Sequence, residues 1–227
     1  MGTHWRYGDA GERWPVRCGE VWEAGPHVLA CLDLETGLGE RFYSRLVEPL
    51  SLVYSDPPWS TGNAKSFRTK AGLSHDGVTL ERLWGRVLDL TLPALGDADL
   101  VVEIGTASRA LAREWLAARR RAVTDEWPIV YYKKHPCWLL RSRVHGRRDV
   151  SSPASLDDEQ TPAWAIESST AAGDLVCDPC FGRGLTAVAA ETLGRRFVGS
   201  ELNPRRMAVA LDRLAKRGLT PRRVRAL

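Results

Sequence analysis

Short apolar runs, separated by longer mixed segments, set the pattern of this chain. His27–Leu34, Leu50–Val53, Leu100–Ile104, Trp127–Tyr132, Asp174–Asp178 and Arg196–Ser200 are brief and mostly apolar, and they read as strands buried in a sheet. Between them the spacing becomes helical. Thr79–Leu92 puts Leu80, Leu83, Trp84, Val87, Leu88 and Leu92 on one stripe. Glu40–Leu46, Ala107–Arg121 and Thr161–Thr170 also read as helices, the last with proline in its first turn, and an alanine-rich helix follows Gly184. Strand, helix, strand in repetition predicts an α/β fold: a mostly parallel sheet with helices on both faces, three layers in a Rossmann-like arrangement.

Three segments lack a period. Residues 1–26 read as an extended arm with room for one short strand, in which Trp5, Tyr7 and Trp14 either pack on the domain or stack on bases. Ser60–Gly72 is polar, punctuated by glycine, and reads as a mobile loop. His135–Gln160 reads as an excursion from the sheet.

Composition narrows the class. A length of 227 residues suits one domain with a full three-layer core, and 44% hydrophobic with 26% charged residues is ordinary for a soluble protein. No apolar run has the length of a membrane span, and the N-terminus has no signal-peptide core. The five cysteines are odd in number and scattered, which predicts a reducing, cytoplasmic setting. Cys177 and Cys180 form a C-x-x-C with no second pair at zinc spacing, so no metal site is expected. The net charge of +4 says little, but its distribution says more. Lys133, Lys134, Arg141, Arg143, Arg147 and Arg148 occur without an intervening acid, and the C-terminus is also basic. Such clusters fit a polyanion such as nucleic acid, with a solvated basic surface as the alternative.

Two stretches carry candidate chemistry. Asp56-Pro57-Pro58-Trp59 directly follows the second apolar run. The prolines cannot donate to a sheet ladder and hold the residues before them extended, so the strand ends with a carboxylate and carbonyls in fixed directions beside a flat indole. Acceptors beside a stacking plate suit the exocyclic amine of a planar base; the bland alternative is a proline-terminated strand with a core tryptophan. The second stretch is Asp178-Pro179-Cys180-Phe181-Gly182-Arg183-Gly184-Leu185-Thr186, a strand, a glycine turn and a helix. Its glycines let backbone approach a ligand and its helix N-terminus presents N–H donors. A later strand ends at Glu201, about 20 residues beyond the turn, where an acid can hold ribose hydroxyls. Asn203 stands beside it. A nicotinamide-type site is the competing reading, with Ala187 at the third glycine position.

Together the two stretches resemble the S-adenosylmethionine-dependent amino-methyltransferases, which methylate adenine N6 or cytosine N4. Asp56-Pro57-Pro58-Trp59 is similar to that family's Asp/Ser/Asn-Pro-Pro-aromatic motif, and the stretch from Asp178 to Thr186 to its Asp-Pro-Phe-x-Gly-x-Gly-Thr-Thr motif. Cys180, Arg183 and Leu185 depart from the pattern, and the aromatic stands one place later, at Phe181. The base motif precedes the donor motif, as in the family's permuted β order. The resemblance covers about residues 28–216.

It implies a methyltransferase fold, S-adenosylmethionine as cofactor, and Asp56, Pro57, Pro58 and Trp59 as catalytic residues. A donor site would comprise Asp33, Asp178, Pro179, Cys180, Phe181, Gly182, Gly184, Thr186, Glu201 and Asn203. Lys65, Arg68, Lys70, Lys133, Lys134, Arg141 and Arg143 would face nucleic acid. The family's target-recognition region is reduced here to a short basic insertion near 133–160, so a partner chain or a homodimer could supply sequence readout. The reading that follows is a DNA adenine-N6 methyltransferase. An RNA adenine enzyme, a cytosine-N4 enzyme and a non-catalytic nucleic-acid-binding subunit stand as alternatives.

Overall fold

The computed structural model describes residues 9–131, 135–143, 152–153, 156–157 and 159–227; Trp5, Tyr7, Lys133, Lys134, Arg147 and Arg148 lie outside the described residues. The strands are β1 (Glu20–Ala24), β2 (His27–Cys31), β3 (Leu52–Ser55), β4 (Asp99–Gly105), β5 (Val123–Tyr131), β6 (His135–Ser142), β7 (Leu175–Asp178), β8 (Arg196–Glu201) and β9 (Pro221–Ala226). The helices are α1 (Ala10–Arg13), α2 (Gly37–Tyr43), α3 (Thr61–Lys70), α4 (Leu80–Leu95), α5 (Arg109–Ala118), α6 (Thr161–Ser169), α7 (Leu185–Thr192) and α8 (Pro204–Ala215).

These strands form one sheet in the order β5-β6-β4-β3-β7-β8-β2-β1-β9. The central five, from β4 to β2, are parallel. Both margins are antiparallel, β6 and β5 on one side and β1 and β9 on the other. The parallel character expected from the sequence therefore holds for the centre only. The sequential pairs β1–β2 and β5–β6 are hairpins, which need no long crossover, while β9 comes from the far end of the chain to pair with β1.

The two faces of the sheet bury separate cores. Leu34, Phe42, Trp84, Val87, Leu88 and Leu116 fill the side covered by α2, α4 and α5. Ile166, Ala187, Ala190, Met207, Leu211 and Leu214 fill the side covered by α6, α7 and α8. The result is the three-layer α/β/α arrangement that the alternating pattern implies.

Three expectations need correction. The first 26 residues hold the one short strand allowed for, β1, but also a short helix, α1, that is not expected. Ser60–Gly72 is largely the helix α3: the Ser60 side chain caps it by accepting from the Asn63 N–H, and only Ala64 is buried. Because so little of α3 is apolar, no hydrophobic period announces it. The expected excursion from His135 begins instead as β6, inserted between β4 and β5.

The β6 strand also removes two cations from the expected nucleic-acid surface. Arg141 is fully buried and Arg143 pairs with Asp99, the first residue of β4. The Arg141 guanidinium lies 4.6 Å from the Trp164 ring and 5.6 Å from that of Trp127, with Asp99 at 3.6 Å and Ser169 Oγ at 3.3 Å. Ring faces and a shared carboxylate replace its water. Arg141→Ala is thus expected to lower folding stability by about 3 kcal/mol, because it leaves buried polar groups without their cation. It should leave the salt dependence of nucleic-acid binding unchanged. Denaturant unfolding and a salt titration check both; unchanged stability with weaker nucleic-acid binding would restore the phosphate role.

Candidate active site

All five parallel strands end along one edge of the sheet, and four of them deliver an acid there. Asp33 follows β2, Asp56 follows β3, and Asp178 and Glu201 are the last residues of β7 and β8. The chain turns opposite ways after β3 and after β7, which are neighbours, so the edge between them is a topological switch point. A cleft of about 730 Å³ opens there. Its lining includes Asp33, Asp56–Trp59, Asp178–Gly182, Thr186 and Glu201, so residues far apart in sequence meet in one place.

On the β3 side, the geometry of the Asp-Pro-Pro-Trp motif is fixed from several directions. The Trp59 indole N–H donates to Asp56 Oδ1 at 2.9 Å. Its ring lies against the Gly105 backbone, where a Cβ would come within 2.9 Å of it, and meets Tyr131 edge-on at 4.9 Å. The Pro58 carbonyl accepts from Trp84 at 3.4 Å, and the Trp59 carbonyl accepts from the Ser108 hydroxyl. Asp56 and Pro57 both line the cleft. Behind them Glu103, buried in β4, accepts from the hydroxyls of Tyr54 at 3.0 Å and Thr161 at 3.2 Å.

On the β7 side, Asp178 holds the glycine turn. Its carboxylate accepts from the Cys180 N–H at 2.9 Å and from the Thr186 hydroxyl at 2.6 Å. Burial pushes this carboxyl up to about 7 against the pull of those two donors, with Asp56 and Glu201 adding to the rise. Glu201 is also raised, chiefly by burial, while Arg206 and the backbone N–H groups of Asn203, Gly182 and Leu202 oppose the rise. Gly182 and Gly184 both have positive φ, which turns the chain sharply into α7.

Other expected site residues lie differently. Phe181 is 4% exposed and packs edge-on against Phe197, so it belongs mainly to the core below the turn. Gly184 is pressed against Ala210 of α8 and does not line the cleft. Asn203 caps α8 by accepting from the Arg205 N–H and donates to the Lys70 carbonyl, so it is a structural residue outside the lining. Lys65 is exposed and Lys70 sits over the Phe67 ring; neither lines the cleft. Arg68 does line it but is held by Asp33 and Glu35. Arg141 and Arg143 sit at the opposite end of β4 from the cleft.

The sequence reading also missed lining residues. Glu35, Phe67, Glu103, Tyr131 and Arg206 all contribute to the cleft. Only the alternation that places Tyr54 and Glu103 on the same sheet face could have signalled one of them.

The two raised carboxyls give a prediction. A cationic ligand favours their ionised forms, so its binding releases protons wherever they are still protonated. Affinity for a sulfonium compound should rise with pH toward about 7 and then level off. Asp178→Asn should flatten that rise. In the absence of ligand the sign for folding is opposite: a raised carboxyl contributes stability at low pH that is lost as pH climbs from 3.8 toward about 7. Calorimetric titrations across this range check the first statement, and a pH-independent affinity would contradict it.

The chain has sequence and structural relatives. Residues 158–212 match the N6_N4_Mtase family, DNA methylase. The Type II methyltransferase M.XycI of Xanthomonas campestris pv. cyanopsidis is 45% identical over 49 residues, which make up 22% of this chain and 16% of that protein. The Type II methyltransferase M2.DpnII of Streptococcus pneumoniae is 39% identical over 71 residues, 30% of this chain and 26% of that protein. These matches span well under two thirds of either relative. Among solved structures, M1.HpyAVI superposes with a TM-score of 0.58 at 18% identity, covering 82% of this chain and 98% of that one. The cytosine-N4-specific PvuII DNA methyltransferase gives 0.56 at 13% identity, covering 82% and 86%. At such identities the likeness is one of fold. In its matching stretch the chain is similar to the DNA methylases of the N6_N4_Mtase family, and over most of its length it shares the fold of these solved methyltransferases.

Proposed function

We propose that this protein transfers a methyl group from S-adenosylmethionine to the exocyclic amine of a base in DNA, with adenine N6 as the acceptor. The observation that carries the proposal is the meeting of Asp56–Trp59 and the Asp178–Gly182 turn in one cleft at the switch point of the sheet. A cleft of about 730 Å³ is within the range of sites for ligands of this size.

The residues fit the donor. A Cβ added at Gly182 would meet nothing nearer than Arg206 Nη1 at 3.9 Å and the Cys180 carbonyl at 4.0 Å, so there is room for a ligand against this backbone. Glu201 and Asp33 supply acceptors at the ends of neighbouring strands, positions suited to hydroxyl and amino groups of adenosine. The ionised acids of the cleft also complement positive charge. When bound, the donor supplies a methyl group already activated by its sulfonium. The crystallised S-adenosylmethionine complex of M1.HpyAVI, which shares the fold, is consistent with this donor.

The chain's own work is orientation. An exocyclic amine is conjugated and a poor nucleophile. Hydrogen bonds from it to Asp56 and to the Pro57 carbonyl localise its lone pair and point it toward the donor side of the cleft. Trp59 offers a flat face whose position is fixed by Asp56, Gly105 and Tyr131. In a duplex the base must first leave the stack, which costs a few kcal/mol that stacking partly offsets. The acid proton-acceptor step needs no histidine, since Asp56 can take the proton after transfer.

Adenine is preferred because the motif begins with Asp56, whereas cytosine enzymes more often begin it with serine. DNA is preferred over RNA because the matched family and relatives carry DNA methylase and Type II methyltransferase names. The test is incubation of the purified protein with methyl-labelled donor and separate DNA and RNA pools. Label in DNA supports the proposal; label in RNA alone would overturn the choice of polymer.

A further inference from the structure

The acid of the donor lobe nearest α3 is already engaged, and its partner comes from the acceptor side. Arg68 Nη1 lies 2.7 Å from Asp33 Oδ2 and 3.1 Å from Glu35 Oε2, while its Nε donates to the Ser74 carbonyl at 2.6 Å. Both acids and the arginine line the cleft. Glu35 is further paired with Arg82 of α4 at 3.1 Å, and Asp33 accepts from the Glu35 N–H at 3.0 Å. The Arg68 guanidinium thus bridges and orients two nearly buried carboxylates, with Arg82 supplying the second positive charge.

Among the described residues, the ion pairs of Arg68 are the only ones made by the helix that carries it. α3 begins two residues after Trp59 and its ten residues span about 15 Å at the helical rise, from the acceptor motif to the donor lobe. Only Ala64 is buried. Among the described residues its C-terminal half also has the Asn203 amide on the Lys70 carbonyl at 3.2 Å, the Arg206 guanidinium 4.7 Å from the Phe67 ring, and Thr69 Oγ1 3.4 Å from His75 Nδ1. A helix with so little apolar face relies on its polar contacts for its position.

Resting on the donor reading above, we propose that Arg68 is a donor-positioning residue. It docks α3 as the outer wall of the donor lobe and fixes the direction of Asp33 and Glu35. It also links the donor lobe mechanically to the Asp-Pro-Pro-Trp motif, because the same helix starts at Thr61, two residues after Trp59. Arginine is needed rather than lysine, since a planar fork can hold two carboxylates and a carbonyl at once while an ammonium acts as a point charge.

The experiment is calorimetry of S-adenosylmethionine with wild type, Arg68→Ala and Arg68→Lys, joined to hydrogen exchange of amides 61–70. Circular dichroism confirms that each variant is folded. The inference predicts a Kd at least about tenfold higher in Arg68→Ala, partial rescue in Arg68→Lys, and donor-induced protection of α3 in the wild type that Arg68→Ala lacks. A purely structural arginine would alter melting without this ordered rescue of affinity. Wild type and Arg68→Ala binding donor within twofold of each other, with equal protection of α3, would overturn the inference alone. A wild type that binds no donor would overturn the donor reading itself, and this inference with it.

Discussion

Alanine at position 56 is expected to lower methyl transfer by at least about 10²–10³-fold while donor affinity stays within a few-fold. The magnitude is that of losing a preorganised hydrogen-bond partner at the reacting group. The separation of effects follows from the fold. Asp56 closes β3, and the donor turn belongs to β7, so the side chain faces the acceptor part of a shared cleft. Asp56 also receives the Trp59 indole N–H, so Asp56→Asn provides the sharper comparison. The amide keeps the shape and an acceptor oxygen but cannot take a proton. Transfer should fall in both variants, more in alanine, where the indole also loses its partner. Single-turnover rates with labelled donor measure this; substantial turnover in Asp56→Ala would remove the carboxylate from the mechanism.

The two glycines of the donor turn should fail in different ways. At Gly182 (φ +58°) a side chain would project into open cleft, so Gly182→Val is expected to abolish donor binding, by about 100-fold or more, with the fold intact. The left-handed backbone adds a strain of about 1–2 kcal/mol that a folded domain of this size can absorb. At Gly184 a Cβ would fall 2.6 Å from the Ala210 Cβ and 3.0 Å from its Cα, both on α8. Gly184→Val should therefore push α7 from α8 and lower stability, taking donor binding with it. Thermal melting and calorimetry together separate the cases. Wild-type affinity in Gly182→Val would place the donor elsewhere.

How much of this was legible in the sequence depended on whether the responsible forces were local. The strands β2, β3, β4, β7 and β8 carry their burial in their own composition, and the turn after Asp178 carries its conformation in its glycines. Those elements place the cleft. The α3 helix was not legible because its stabilising partners, Asp33, Glu35, Asn203 and Arg206, are remote in sequence and its own residues are polar. The β6 strand was obscured by its cations. Arg141 reads as a surface residue until Trp127, Trp164 and Asp99 are brought around it by the fold. Asn203 looked like a ligand because it stands beside Glu201, yet its side chain is used to cap α8. For α3 and Arg141 tertiary contact decided the role, whereas for Asn203 it was the local preference of asparagine for a helix N-cap.

The central claim is transfer to an exocyclic amine, and the product itself tests it most directly. DNA incubated with the protein and S-adenosylmethionine, digested to nucleosides and resolved by mass spectrometry, should contain N6-methyldeoxyadenosine. The same DNA treated for the same time with the Asp56→Ala protein should contain at least about 100-fold less. N4-methyldeoxycytidine in its place would contradict the choice of base, and a protein that binds donor and DNA yet yields no methylated nucleoside would contradict the claim of catalysis.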